Sequence, residues 1–170
     1  MRKYIRSGIF LACALIFIRT AQGEDALLPR GFIPVGNAEC FGPPGRELEN
    51  GSIYNYMDGG GIVYLDHGFR ELVHCEFSNS LKGLITFDRF TMETEAQALA
   101  ALADQRIAPE GGSPLPLSVP NKAYRFPPDY YLYLVLGKQL IYFHVNDDQL
   151  ADTLDQFVAA VLQSMKENKE

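Results

Sequence analysis

Tryptophan is absent from this 170-residue chain, and histidine and cysteine occur only three times each. So few side chains of these types leave few ways to assemble a metal centre or a nucleophile–base pair. The spacings C-x-x-C and C-x-x-C-H do not occur, which removes the common dithiol redox motif and a c-type haem attachment site. H-E-x-x-H, G-x-S-x-G, G-x-G-x-x-G and G-K-[ST] are missing as well. With them go the sequence signatures of a zinc protease, a hydrolase elbow and the common nucleotide loops. Basic residues are in deficit, at 15 against 21 acidic ones, for a net charge of −6. An acidic surface repels phosphate backbones and anionic lipid, which argues against nucleic acid as a partner. What remains is 47% apolar and 21% charged, the composition of one ordinary folded domain.

The first 23 residues read as a secretory signal peptide. A basic start (Arg2, Lys3, Arg6) precedes the apolar run GIFLACALIFI, residues 8–18. As a helix that run spans roughly 16 Å, about half of a ~30 Å bilayer core. Ala21 and Gly23 then supply small residues at the −3 and −1 positions of a cleavage site. The alternative is an uncleaved anchor; a lipoprotein reading through Cys13 fails because the apolar run continues past it. Cleavage would remove four basic residues and no acid, leaving 11 against 21, or −10 over 147 residues. The expectation is an exported periplasmic or secreted domain, residues 24–170, not embedded in the membrane after cleavage. Cys40 and Cys75 then remain as an even pair in an oxidising compartment. They read as a structural disulfide, with two free or metal-binding thiols as the alternative.

Along the mature chain, residues 24–47 hold Pro29, Pro34, Pro43 and Pro44 and predict an irregular surface segment. A helix is expected from near Asn50 or Ser52 to Gly68, with Ile53, Met57, Gly60, Gly61 and Tyr64 on one face. Its glycines, Gly59 to Gly61, cost about 1 kcal/mol each against alanine. Close approach of another backbone is the expected offset. RELVHCEFS (70–78) and LITFDRFTM (84–92) alternate as a strand pair, and Thr94-Glu-Ala-Gln97 is a capping box that opens a second helix. Residues 108–121 hold four prolines and two glycines and form a loop. Strands follow at 123–126, 130–136 and 139–145, the last two nearly continuous in apolar residues, as for strands covered on both faces. Leu150, Leu154, Phe157, Val158, Val161, Leu162 and Met165 make the stripe of a final helix. The fold class is therefore α+β: a mainly antiparallel five-stranded sheet covered by three helices. Its element order is similar to that of the PsbP/Mog1-like domains.

The chain also carries a family resemblance. LLP at residues 27–29, YNYMDGGGIVYLDHGF at 54–69, and a strand ending FDRFTM resemble a bacterial family of exported domains of unknown function. A weaker echo, Tyr124-Arg-Phe126 before an aromatic strand, extends the likeness towards the C-terminus. Phe32 stands where members often have an aromatic residue after LLP, and His67 where tyrosine is expected. The resemblance implies export and a fold, and assigns no chemistry.

Four groups of residues are candidates for function. Asp58-Gly59-Gly60-Gly61 is glycine-rich, but no strand precedes it, so helix–sheet packing is favoured over a phosphate cradle. Asp58, Asp66, His67, His74 and His144 lack a ligand spacing, and no metal or other cofactor is expected. Ser113 and the pair Asp147-Asp148 have no motif that would make them catalytic. Aromatic density is the remaining lead: Tyr124, Phe126, Tyr130, Tyr131, Tyr133, Tyr142 and Phe143 lie within 20 residues. Such tyrosines either fill a core with the hydroxyl at its rim or line a cleft for an apolar or carbohydrate ligand, closed by the 108–121 loop. The reading is a non-catalytic envelope domain that binds a small ligand or partner protein. Asp58, Gly59, Gly60, Tyr64, His67, Tyr131 and Tyr133 are its candidate residues. The alternative is a periplasmic enzyme, hydrolase-like or metal-assisted, using Asp58, His67 or His74, at least two of which must converge.

Overall fold

The computed structural model describes residues 31–167. The expected signal segment, residues 1–23, lies outside them, as does the LLP motif. Seven antiparallel strands form one sheet: β1 (Ile33–Pro34), β2 (Glu39–Phe41), β3 (Phe69–Ser78), β4 (Leu84–Met92), β5 (Asn121–Phe126), β6 (Asp129–Leu136) and β7 (Gln139–Val145). Its order is β1-β3-β4-β7-β6-β5, and β2 also pairs with β3. The sheet is thus two strands larger than the five expected. The extra pair comes from the proline-rich segment expected to be irregular. Pro34 is tolerated there because β1 lies at the sheet's edge, where a missing N–H breaks no inner ladder.

The helices are α1 (Ile53–Met57), α2 (Gly61–Asp66), α3 (Glu95–Ala103) and α4 (Ala151–Glu167). The first expected helix is real but interrupted: Asp58–Gly60 form a 3-10 turn between α1 and α2, and Asp58 has φ 47°. Its start is Ser52, whose backbone N–H donates to Asn55 Oδ1 at 2.9 Å. α3 starts at Thr94 as its capping pattern requires, with Thr94 Oγ1 accepting from the Gln97 N–H. It ends at Ala103, so Ile107 is buried from the turn beyond rather than from the helix itself.

Each face of the sheet has its own core. On one, Val73, Cys75, Phe77, Ile85, Phe87, Leu132, Ile141 and Phe143 pack against Leu154, Phe157, Val158 and Val161 of α4. On the other, Leu72, Phe90, Met92, Val135 and Leu140 pack against Ile53 of α1 and Ala98, Ala101 and Leu102 of α3. Burial on both sides explains the near-continuous apolar runs of β6 and β7.

Two expectations fail at this level. No disulfide joins Cys40 and Cys75. Cys40 stands opposite Val73, so Cys75 is its diagonal neighbour on the adjacent strand. Diagonal positions lie ~7–8 Å apart, at or beyond the ~4.4–6.8 Å Cα separation a disulfide spans. Close backbone approach is not what offsets the glycine run either. A Cβ on Gly59 or Gly60 would meet nothing within 4 Å, whereas one on Gly61 would lie 2.9 Å from the Ile53 side chain.

Candidate functional site

Strand register sorts the α1–α3 face into rows. The first is Phe41, Leu72, Phe90, Leu140 and Val135, all apolar and buried. The second is Glu39, His74, Asp88, Tyr142 and Tyr133; the third is Glu76, Thr86, His144, Tyr131 and Tyr124. The helices cover the first row and reach Tyr133 and Tyr142 of the second. Beyond that limit the face carries half-buried rings, with Phe126 56% exposed at its border.

These rings form one connected platform. His144 stacks on Tyr131 with centroids 4.7 Å apart, and Tyr133 lies 4.9 Å from Tyr142. Tyr131 is 6.3 Å from both Tyr142 and Phe126, and Tyr124 is 6.0 Å from Tyr133. Burial pushes the Tyr133 and Tyr142 hydroxyls far above the ordinary tyrosine range, with neighbouring tyrosines and Asp88 adding to it. Tyr131 is raised too, by burial first and by Asp129 second. Tyr131, Tyr133 and Tyr142 therefore stay neutral, hydrogen-bonding groups rather than nucleophiles or bases. His144 is held in place by Asp129, 2.8 Å from its Nε2.

A buried polar centre adjoins the platform. His74 Nδ1 lies 2.7 Å from Asp88 Oδ1, and Tyr56 Oη donates to Asp88 Oδ2 at 2.8 Å. A carboxylate only accepts, so Nδ1 carries the proton and Nε2 is left for other partners. The nearest is Glu76, at 4.0 Å. Burial opposes charge on His74, but the hydrogen bond and charge of Asp88, with Glu76 and Glu39, outweigh it and raise its pKa above 6.5. A cleft of about 170 Å³ opens here, lined by Val35, Gly36, Asn37, Glu39, His74 and Glu76.

The candidates read from sequence do not all meet here. Tyr131 and Tyr133 stand on the platform. Tyr64 marks its helix side, stacked on Phe90 at 4.1 Å. His67 belongs elsewhere: its Nε2 lies 2.9 Å from Asp104, which Arg106 also binds at 2.6 Å, tying the end of α2 to the end of α3. Asp58, Gly59 and Gly60 form an exposed turn, where the Asp58 N–H closes α1 on the Tyr54 carbonyl. No two of Asp58, His67 and His74 are thus brought together; His74 pairs with Asp88 and Tyr56 instead. The 108–121 loop covers the Tyr124 end of the platform, where the Tyr124 hydroxyl donates to the Pro109 carbonyl. Gly112 packs on the Tyr124 ring at the sheet edge, while Leu115, Leu117 and Val119 turn to the α4 face. Among the described residues no group of three or more His, Cys, Asp or Glu side chains is placed to hold a metal.

Asp88 and Tyr56 were missed from sequence. One signal was available, a charged pair, Asp88-Arg89, set between two phenylalanines in an otherwise apolar strand. Both are buried, on opposite faces.

No family model matches the chain, and no curated protein matches it. Among solved structures it is similar to the extracellular domain of PknH from Mycobacterium tuberculosis, with a TM-score of 0.47 and 12% identity, over 86% of this chain and 95% of that one.

Proposed function

We propose that this protein is an exported, non-catalytic domain of the bacterial cell envelope that binds a ligand on the uncovered half of its α1–α3 sheet face. One observation carries the reading: half-buried Tyr131 of β6 and His144 of β7 stack in the row beyond the one the helices reach, and the cleft at Glu39, His74 and Glu76 opens on the same face. Binding sites combine apolar and aromatic walls with a few placed polar groups, which is the composition of this face. Export is supported by the leader pattern of residues 1–23, and kinship with the exported-domain family by LLP and the D-G-G motif. The PsbP/Mog1-like element order belongs to the same proposal.

The His74–Asp88 pair favours a second reading, in which His74 Nε2 serves as a general base at the cleft. The pairing matches the orienting role a carboxylate plays for a catalytic imidazole. It ranks second because the neutral tyrosines around it supply no activated nucleophile.

Native mass spectrometry of the protein recovered from the envelope fraction of an expressing bacterium tests the first reading. The expected result is a non-covalent adduct that is lost in the Tyr131→Ala, Tyr133→Ala double variant. A bare wild-type protein, or an adduct that survives both substitutions, contradicts it.

A further inference from the structure

We propose that residues 35–39 form a pH-gated strap along the edge of β3, held closed while His74 is protonated on both ring nitrogens and released when it becomes neutral. The strap joins β1 to β2, which both pair with β3. Pro34 stands opposite Phe77 and Glu39 opposite His74, so residues 35–38 span the stretch that Cys75 and Glu76 cover on β3. The surplus length lifts the chain off the ladder, with Gly36 turning it at φ 74°. The cleft of about 170 Å³ fills the resulting gap. Val35, Gly36, Asn37 and Glu39 form its strap wall, and His74 and Glu76 its β3 wall.

The strap is anchored at both ends and lightly held between them. Phe32 and Phe41 are buried in the cores on opposite faces of the sheet. Residues 35–39 are all exposed, and the Val35 N–H donates to the Glu76 carbonyl at 2.8 Å. Charge across the gap supplies the remaining hold. Among the described residues the charges acting on His74 are all carboxylates: Asp88 of β4, Glu76 of its own strand and Glu39 of the strap. The other groups turned towards it are neutral: Tyr56 of α1, with Oη 3.1 Å from Nδ1, and Tyr142 of β7, next to Asp88 in the row. A proton on Nε2 attracts Glu76, 4.0 Å away, and Glu39 across the gap. Its loss leaves the buried side unchanged, because Nδ1–H and the Tyr56 hydroxyl still donate to Asp88. The change falls on the outer side, where Glu39 and Glu76 are left to repel each other. Together the carboxylates keep His74 protonated beyond the ordinary value of 6.5, so the strap loosens as pH rises through the raised value. Its release widens the cleft from the β1–β2 side, whether or not a ligand is bound.

The test is amide hydrogen exchange of the purified protein, read by NMR from about pH 6 to about pH 9 with the His74 ring signals followed alongside. At the lower pH the Val35 amide is expected to be less protected than that of Phe87 in the core, as exchange through the strap's own opening requires. Its protection factor is expected to fall about fivefold as pH rises, the scale of one exposed ion pair, with the midpoint of the His74 ring. In the double variant Glu39→Gln, Glu76→Gln, whose side chains keep their size and lose their charge, that fall is expected to vanish. A Val35 protection factor that stays level through the His74 titration overturns the proposal. So does an equal fall in the double variant, or protection at Val35 equal to that of Phe87, since the strap then has no motion of its own.

Discussion

Asp88 sets the polar chemistry of the sheet face by accepting from both Tyr56 and His74 while almost wholly buried. Replacing it with alanine strips both donors of their acceptor at once. Asp88→Ala should lower unfolding stability by about 1–3 kcal/mol, read from urea denaturation. The same pair carries a pH signature. Because the folded pKa of His74 is raised, the folded state holds its proton more tightly than the unfolded chain does. Its contribution is complete below the ordinary value of 6.5 and is lost as pH rises through the raised value. Stability measured across that window should fall with pH in the wild type, and the slope attributable to His74 should vanish in Asp88→Ala; a slope of the opposite sign refutes the assignment. The glycine run allows a sharper residue-scale comparison. Gly61→Ala drives a Cβ to 2.9 Å from Ile53 and should cost about 1–3 kcal/mol. Gly59→Ala and Gly60→Ala meet open space at ordinary φ, so each should be neutral or stabilising by about 0.4–1 kcal/mol.

The elements were legible to the extent that periodicity writes them locally. β3, β4, β6 and β7 could be read from alternation and apolar runs, and α3 from its Thr94 cap. α4 could be read from a stripe whose members Leu154, Phe157, Val158, Val161 and Leu162 are all buried. What could not be read depends on partners distant in sequence. β1 and β2 are too short and too rich in proline to declare themselves, and they exist as strands because β3 offers an open edge. The break at Asp58–Gly60 is also invisible to a helical count, since Tyr64 keeps its place on the apolar face after the turn. The loop expected at 108–121 ends one residue sooner, at Pro120, because Asn121 opens β5, and which face it covers depends on Asn121, whose side chain binds Leu115 and Val119. At this scale α4 is the strongest structural commitment. Phe157 lies edge-on to Phe77 and Phe143, with centroids 5.8 and 5.9 Å away. Phe157→Ala should cost about 3–5 kcal/mol, seen as a lower denaturation midpoint with the slope unchanged.

For the whole molecule, the two faces of one sheet are put to different uses. The α4 face is a closed apolar core, while the opposite face is closed over its first row and at Tyr133 and Tyr142 of its second, and more open at Tyr131 and His144 of the third. Tyr131 and Tyr133 were legible as aromatic strand positions, and register shows that they share a face with His74 and Asp88. His144 and Asp88 were not, because a site built across β3, β4, β7 and β6 brings together residues up to 70 positions apart, and spacing along the chain carries no trace of that pairing. His67 was misleading for the converse reason: it sits inside the most distinctive motif of the sequence, yet its ring is tied to Asp104. The central claim is that the open half of the face is where this protein meets its ligand. The most direct measurement is the aromatic NMR spectrum of the protein titrated with the low-molecular-mass fraction of a bacterial periplasm. The account predicts shifts confined to Phe126, Tyr131, Tyr133, Tyr142 and His144, with Phe87, Phe143 and Phe157 unmoved. Shifts centred on His67 or on the α4 face, with the platform silent, would contradict it.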